Sequence, residues 1–489
     1  MRAPALLPCL ALLSACAVGP RFHAPPAPAA TDYGSAPVHG TTASSDVPGG
    51  QAQQFVLDGS VPADWWQRFG SPALDALETR ALRNNPNVTA AQAALRQADE
   101  LYKAQRASLF PALQGSFSAQ RARNALLTLA NPTSLPQQNP YYNLYTAQLS
   151  VSYLLDVWGG ARRGLESAAA QAEAARFALE ATYVTLTSNV AVTALQEAAL
   201  RGQVEATQRQ LEIQSQLTHM VDEQHRLGGA SQLDLLTQAA AEAQTAALLP
   251  PLRKQLAQTR DALTALAGAL PSDESAGRFV LDEFQLPRDL PVSVPARLIE
   301  QRPDVREALA NLHAASAQVG VALADMLPQF ELTGSLGSAA LDLRSLFSPY
   351  TGFWSAGASL TQTLFDAGAL LHRKRAADAA LDEAGAQYRA AVLLACQNVA
   401  DTLHALEIDA DALVAAAAAE HTSHEALDIA RQQRQLGGLS EVALLNAEQT
   451  YQQAVLNLIQ ARANRYADTV ALFQALGGGW WQRGKGDPG

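Results

Sequence analysis

The sequence is poor in lysine and in cysteine, and each shortage excludes a class of protein. Lysine is nearly absent, and the 489-residue chain carries a net charge of −11 at pH 7. A chain this acidic is not attracted to a phosphate backbone, so we predict no nucleic-acid partner. Cysteine occurs only as Cys9, Cys16 and Cys396. We expect Cys9 to be removed with an N-terminal signal and Cys16 to be acylated, which leaves Cys396 alone, so we expect no disulfide within the mature chain.

Motifs for catalysis and for metal binding are also lacking. His421, His424 and Glu425 lie close together, but they do not form a His-Glu-x-x-His motif, and the nine histidines are scattered. The chain has no Gly-rich phosphate loop, no Gly-x-Ser-x-Gly and no cysteine pair. We therefore predict no enzyme activity, no catalytic residue, no metal and no cofactor. The histidine cluster is interpreted as a solvated helix face.

The chain begins like a bacterial lipoprotein precursor. Arg2 precedes a short apolar run that is too short to cross a bilayer, and small residues follow it. The stretch Leu13-Ser14-Ala15-Cys16 resembles a lipobox, in which the cysteine thiol receives a diacylglycerol before cleavage. We predict a signal peptide over residues 1–15 and S-diacylglycerol and N-palmitoyl attachment at Cys16. An ordinary signal with a chance cysteine is the alternative. By resemblance to lipoprotein sorting, Ala17 in place of aspartate favours the outer membrane.

Residues 16–63 are rich in Pro, Ala and Gly and show no periodicity. They predict an extended leash behind the lipid anchor.

The rest of the chain is a tandem duplication. Matching residues lie 217 positions apart before one insertion and 209 apart after it: Pro86 with Pro303, Pro111 with Pro328, Gly159 with Gly368. The turns "LGGASQLDLL" and "LGGLSEVALL" keep the second spacing. We assign repeat 1 to residues 64–270, a connector of irregular structure to 271–291, repeat 2 to 292–476 and a tail to 477–489.

Each repeat changes period along its length. Helical patterns rich in Ala and Leu end before Pro111 and Pro328, because proline ends helices. Alternating runs then predict strands at about 112–121, 144–155, 329–338 and 353–364, each with one apolar and one polar face. Helical runs of roughly 66 residues follow, about 100 Å long. They end at turns at about 227–231 and 436–440, which we call the tip turns.

Four strands of this length constrain the assembly. Each strand is long enough to cross an outer membrane, but four strands cannot close, and an open edge is not tolerated in lipid. A dimer would give eight strands with little lumen, whereas a trimer gives twelve and leaves a channel. The alternative is a small soluble sheet that caps a helical bundle.

Several segments, in order, resemble one family. They are the lipobox followed by "AVGPRF", the stretch "WWQRFGSPALDALETRALRNNPNV", the strand-to-helix joints "SYLLDVWGGARR" and "QTLFDAGALLHRKR", and the two tip turns. They are similar to the outer membrane factor family of TolC-like ducts, in particular the lipoprotein type of resistance-nodulation-division efflux systems (OprM- or NodT-like). The resemblance extends from Cys16 to about Leu476.

The resemblance implies an α+β membrane protein with a duplicated helix-strand-strand-long helix-hairpin-helix repeat. Three copies would form a 12-stranded outer-membrane β-barrel, continued by a 12-helix periplasmic α-barrel. It implies a homotrimer in contact with outer membrane lipid, a periplasmic adaptor protein and an inner-membrane resistance-nodulation-division pump. Small toxic compounds or drugs would pass through it passively. Two alternatives stay open, a duct for type I protein secretion and a coiled-coil lipoprotein without a pore.

The resemblance also implies that the tip turns form the gate and the docking region. The residues assigned to this role are Gly228, Gly229, Asp234, Gly437, Gly438, Leu439 and Glu441. Related ducts use an aspartate near the second tip turn to constrict the pore, and here Leu439 replaces it. Closure is therefore expected from apolar packing of Leu439 or from the nearby acids Asp234 and Glu441.

Overall fold

The computed structural model describes residues 17–30, 32–33, 40–57, 59–123, 141–273 and 277–482. The predicted signal peptide and Cys16 lie outside the described residues, and so does the side chain of Glu441. The chain divides into two compact units. One comprises residues 1–24, 96–174 and 309–387, and the other comprises residues 25–95, 175–308 and 388–489.

The first unit contains a four-stranded antiparallel sheet. Its strands are β2 (Ala112–Arg123), β3 (Tyr141–Leu155), β5 (Gln329–Ala340) and β6 (Gly352–Thr361), in the order β2-β3-β5-β6. These bounds compare with predicted strands at 112–121, 144–155, 329–338 and 353–364. The central contact joins β3 to β5, one strand from each repeat. Strands β2 and β6 are the two edges, and the described residues provide no partner for either outer side.

In the described part of the chain, eight α-helices precede, separate and follow these strands along the sequence. They are α1 (Pro72–Asn84), α2 (Pro86–Ala107), α3 (Gly160–Arg226), α4 (Gln232–Leu266), α5 (Pro295–Gln301), α6 (Pro303–Ala324), α7 (Ala369–Gln435) and α8 (Glu441–Ala475). Helices α3 and α7 have 67 residues each, and α4 and α8 have 35 each. These matched lengths agree with the duplication. No helix of the described ranges has both the length and the apolar character that a bilayer crossing requires.

The second unit has an aromatic core. Trp65 and Trp66 are buried, and the Trp65 ring lies 5.4 Å from that of Phe473 between centroids. Phe69 packs against the same phenylalanine and against Tyr466, whose hydroxyl donates a hydrogen bond to a backbone carbonyl at 2.8 Å. The two tryptophans are therefore core residues.

The N-terminal segment differs from the extended leash that its composition predicted. Strand β1 (Gln54–Leu57) pairs in parallel with β4 (Asp289–Val292). This second strand begins inside the connector that was expected to be irregular. The pairing was not visible in the sequence because the two strands are short and more than 200 residues apart.

A buried arginine holds the same segment on α8. The Arg465 side chain is fully buried, and its guanidinium donates hydrogen bonds to the Thr42 hydroxyl at 2.9 Å and to the Gln51 carbonyl at 2.7 Å. Gln53 is also fully buried and donates from its amide to the Thr469 hydroxyl at 3.1 Å. A buried guanidinium needs acceptors. This segment supplies them for Nη2, whereas Nε and Nη1 have no hydrogen-bond partner among the described residues.

The residues next to the predicted lipid site also lie against the protein. In the first unit, the Val18 amide donates a hydrogen bond to the Trp158 carbonyl at 3.0 Å. Phe22 stacks on His313 with ring centroids 4.3 Å apart, and His313 pairs with Glu166 at 2.9 Å. The chain is thus fixed to the protein within a few residues of position 16.

Candidate functional site

The strand register collects apolar side chains on one face of the sheet. Cross-strand pairs on this face include Leu113 with Val151, Leu149 with Leu336, and Leu336 with Trp354. These side chains are exposed, and Trp354 is 77 % exposed. A contiguous exposed apolar surface of this kind requires an apolar surrounding. The face is therefore suited to contact with lipid tails.

The opposite face of the sheet is polar. It carries Gln114, Ser116, Gln148, Ser150, Thr333, Ser335, Ser355, Ser359 and Thr361. The hydroxyls of Ser335 and Ser355 are hydrogen-bonded across the strands at 2.8 Å. A sheet that is apolar on one side and polar on the other matches the wall of a water-filled membrane barrel.

Aromatic side chains mark both ends of the strands. At the end away from the helices lie Tyr141, Phe347 and Tyr350, and at the helix end lie Phe110 and Phe365. All five are exposed. Tyrosine and other aromatic residues are favoured at the two interfaces between lipid and water. The apolar face thus has the length and the borders of a membrane-spanning surface.

The burial of each helix depends on whether the strand next to it in sequence is a central strand or an edge strand of the sheet. Helix α2, which precedes edge strand β2, buries only Val88, whereas α6, which precedes central strand β5, buries apolar residues along its length. On α7, which follows edge strand β6, Leu393 is 71 % exposed. Val184, the corresponding residue of α3 after central strand β3, is buried. The helices next to the edge strands of a single chain therefore have exposed side chains that are buried in their counterparts next to the central strands.

The two tip turns have the same backbone geometry. Gly228 has φ +80° and Gly437 has φ +75°. The Gly228 amide donates to the carbonyl three residues before it, and the Gly229 amide donates to the carbonyl of Gln224. Gly437 and Gly438 make the same two hydrogen bonds. Each turn is a Schellman motif, which needs a left-handed residue at the first glycine.

Asp234 caps a helix in the first tip turn. The Ser231 hydroxyl accepts a hydrogen bond from the Asp234 amide, and the Asp234 carboxylate accepts from the Ser231 amide at 3.0 Å and hydroxyl at 2.7 Å. This is a capping box at the start of α4. The hydrogen bonds from Ser231 lower the pKa of Asp234. The corresponding position of the second turn is Ala443, so that turn has only the Ser440 cap.

Leu439 and Glu441 lie in the second tip turn and at the start of α8. The Leu439 side chain is half-buried and packs on a cluster formed by Leu427, Ala430 and Leu444. Its contacts are thus with the helices of its own chain. Glu441 is the first residue of α8, and its side chain lies outside the described residues.

The sequence reasoning missed a set of exposed apolar residues at the tip turns. Leu227 and Leu436 are each 88 % exposed. Further exposed pairs with the 209-residue spacing are Met220 with Ile429 and Leu233 with Val442. We call these six residues the tip apolar set. The repeat spacing was the signal that could have identified them.

A buried polar network next to the tips was also missed. The Gln238 amide of α4 donates to the Gln214 side chain of α3 at 3.0 Å. Gln214 donates to the buried Glu448 of α8 at 3.5 Å, and Arg431 of α7 lies 3.8 Å from the same carboxylate. The network therefore joins both helical hairpins of one chain. Its members are too far apart in sequence to form a motif.

The histidine region lies on an exposed stretch of α7. His421 lies 3.4 Å from Glu425, and His424 lies 3.6 Å from Asp428. In the part of the chain that the structure describes, no group of three His, Cys, Asp or Glu side chains is arranged to hold a metal ion.

Comparison with known proteins identifies relatives over nearly the whole chain. The family model of outer membrane efflux proteins matches residues 77–269 and 294–478. The chain is 30 % identical over 424 residues to the pyoverdine export outer membrane protein OpmQ of Pseudomonas aeruginosa, covering 86 % of this chain and 89 % of OpmQ. It is 28 % identical over 475 residues to the antibiotic efflux pump outer membrane protein ArpC of Pseudomonas putida, covering 96 % and 94 %.

The same fold occurs in a solved structure. The CmeC outer membrane channel of Campylobacter jejuni superposes with a TM-score of 0.86 at 23 % identity, covering 96 % of each chain. The two matched ranges and this likeness confirm a TolC-like fold with duplicated halves.

Proposed function

The chain belongs to the outer membrane efflux protein family and is a non-enzymatic outer-membrane channel of an efflux pump, and we propose that it works as a homotrimeric exit duct for small toxic compounds. Its relatives named above export pyoverdine or belong to antibiotic efflux pumps. Of the functions considered from the sequence, the efflux duct is the one that these relatives support. Small organic molecules are therefore the proposed cargo.

The unpaired edges of the sheet carry the proposal of a trimer. Among the described residues, strands β2 and β6 each have a row of backbone groups without a partner, which is not tolerated in lipid. Pairing β6 of one copy with β2 of the next closes the sheet head to tail. Three copies give about twelve strands and a lumen lined by the polar face, whereas two copies leave little space. The apolar face then contacts lipid.

The same ring brings an acidic and a basic side chain close together. It places α7 of one copy beside α2 of the next. Glu100 lies seven residues before the end of α2 and Arg375 six residues after the start of α7. Both therefore lie about 10 Å along their helices from the strand side. Both side chains are exposed in the single chain. Within its own helix Glu100 pairs with Lys103 at 2.8 Å, and we infer that its carboxylate also pairs with Arg375 of the neighbouring copy.

The tip turns are the proposed contact with a periplasmic adaptor protein and, through it, with an inner-membrane pump. The tip apolar set supports this, because six exposed apolar side chains at two equivalent turns are a docking surface that needs a partner. Leu439 is proposed to stabilise the closed tip by packing against the helices of its own hairpin. The Gln214–Glu448 network is proposed to hold the two hairpins of a chain together. Energy for export comes from the pump.

Lipid attachment at Cys16 remains a proposal. The fixed position of Val18 and Phe22 in the first unit supports it, because acyl chains on residue 16 would then lie close to the protein.

The experiment that tests the function combines export with conductance. Deleting the protein should raise the accumulation of several unrelated toxic compounds in cells whose pump is intact, and the wild-type gene should restore export. The purified protein should be a trimer by native mass spectrometry and should conduct ions in planar bilayers. Unchanged accumulation in a strain without a second duct, or a monomer without conductance, would contradict the proposal.

A further inference from the structure

Two arginines lie on the apolar face of the sheet at the end away from the helices. The register pairs Arg121 with Asn143 and Arg123 with Tyr141. Phe117, which precedes Arg121 on β2, lies on this face as well because of the same alternation. The pattern of β2 thus changes from apolar to basic without changing the face. Charged side chains on a lipid-contacting face are costly except near the interface.

Both arginines are available for a ligand. Their side chains are exposed, and neither forms an ion pair with another described residue. The guanidinium of Arg123 lies 5.4 Å from the centre of the Tyr141 ring, which orients it without using its N–H donors. The exposed acid on the neighbouring loop, Asp342, accepts hydrogen bonds from the backbone amides of Arg344 and Ser345. Together with the exposed Arg344 of that loop, the two strand arginines outnumber Asp342, so the described rim has an excess of positive charge.

The chemistry of this pair matches phosphate. Arginine presents its N–H groups as a planar fork that binds a phosphate through two parallel hydrogen bonds. Residues two apart on a strand lie about 7 Å apart on the same face, so one headgroup can contact both side chains. The exposed Tyr141 beside them has an apolar ring and a hydroxyl, which suits the level where lipid tails meet headgroups.

We propose that Arg121 and Arg123 bind a phosphate monoester of a glycolipid headgroup in the outer leaflet. The proposal rests on the proposed function, because it requires the sheet to cross the membrane with its helices on the periplasmic side. Strand β2 is an edge strand, so each copy places its arginine pair at the junction with the next copy. A lipid bound there contacts the seam of the ring and stabilises the trimer.

The test compares variants of the purified trimer in a neutral detergent. The main variant is Arg121→Gln with Arg123→Gln, and a second has lysine at both positions. The matched control is Arg344→Gln, which removes a rim arginine outside the strands. The probes are diphosphoryl lipid A, its monophosphoryl derivative, phosphatidylglycerol and inorganic phosphate. Native mass spectrometry measures the bound lipid, and the temperature of trimer dissociation measures its effect.

We expect the glutamine pair to weaken binding of diphosphoryl lipid A roughly tenfold or more, because it removes the charge-assisted hydrogen bonds of both guanidinium groups. The lysine pair keeps the charge without the fork, so its affinity should lie between those of the wild type and the glutamine pair. The control should bind within about twofold of the wild type. The monophosphoryl derivative should bind more weakly than the diphosphoryl lipid.

Several results would overturn the proposal. These are unchanged lipid A binding by the glutamine pair, equal loss in the Arg344→Gln control, or equal binding of phosphatidylglycerol. Stabilisation of the trimer by inorganic phosphate alone would identify a free phosphate site instead. If the variant with two glutamines does not assemble, lipid A binding is measured on the lysine pair and on the single glutamine variants. Binding equal to that of the wild type in all of them would then overturn the proposal. Failure of the proposed function is distinguishable, because the wild type would then show no trimer and no conductance.

Discussion

Replacing Gly228 and Gly437 with valine should impair export without preventing insertion into the outer membrane. Both glycines have a left-handed backbone at the end of a 67-residue helix. A Cβ at either position would have no heavy atom within 4 Å. The expected cost is therefore conformational and not steric.

The magnitude follows from that geometry. A left-handed backbone costs a residue with a Cβ roughly 1–2 kcal/mol, and more if it is β-branched. Two substitutions thus cost about 2–4 kcal/mol per chain. The turn can avoid the strain only by losing its two Schellman hydrogen bonds, at about 1 kcal/mol each. Both routes act at the turn, so the strands and their assembly should be unaffected, while the exposed Leu227 and Leu436 are displaced.

The neighbouring glycines give a matched control. Gly229 and Gly438 do not have positive φ, and a Cβ there would lie 3.5 and 3.6 Å from a backbone oxygen, which is ordinary contact. Alanine at both positions should therefore be tolerated. Asparagine at the left-handed positions should retain most export, because it adopts this conformation more readily than valine.

The assay measures drug susceptibility in a strain without the native gene, together with trimer content in outer-membrane fractions. The valine variant should be as susceptible as the deletion strain with trimer content within about twofold of wild type. The reasoning is refuted if the alanine control is equally susceptible, or if the valine variant loses its trimer. Loss of the trimer in the valine variant would show that the turns are needed for folding before they are needed for export.

Three further predictions concern other parts of the molecule. Glu78 is fully buried, neither of its carboxylate oxygens has a hydrogen-bond partner in the part of the chain that the structure describes, and burial raises its pKa well above the usual value. Its contribution to stability is therefore full below the unfolded-state pKa and is lost as pH rises toward the folded-state pKa. Glu78→Gln should raise the melting temperature at pH 8 more than at pH 5, and an equal shift at both would contradict this. Arg465→Met should release residues 42–53, detected as faster limited proteolysis at an unchanged trimer content, and unchanged proteolysis would show that β1 pairing suffices. Glu100→Arg or Arg375→Glu alone should lower trimer stability by about 0.5–1 kcal/mol per interface, and the double variant should restore it, measured by dissociation temperature; no restoration would remove the proposed contact.

Local patterns in the sequence predicted the strands, the long helices and the two turns. Alternation and helical spacing are properties of neighbouring residues, and the Gly-Gly pairs mark chain reversals wherever the repeats place them. The face of each strand was also predictable. The register was not, because it depends on which strands pair.

Contacts between distant residues were not predictable in this way. Arg465 binds Thr42 across 423 positions, so a Pro- and Gly-rich composition predicted a leash where the structure has a docked segment. Asp234 was assigned to the gate, but its three-residue spacing from Ser231 was a visible sign of the capping box. The repeat spacing identifies the tip apolar set as equivalent pairs, whereas the exposure of these side chains depends on how the helices pack.

The equal lengths of the helices have a consequence for how such a chain can change. Helices α2 and α6 have 22 residues each, and the later pairs match at 67 and 35. The spacing between matching residues of the two repeats changes between Pro111 and Gly159, in the strand region. An insertion of seven residues in α3 alone would lengthen it by about 10 Å. The first turn would then extend beyond the second, and in the proposed trimer the ring of six equivalent turns would become two rings of three. Insertions in these helices should therefore be tolerated only when all four long helices change together.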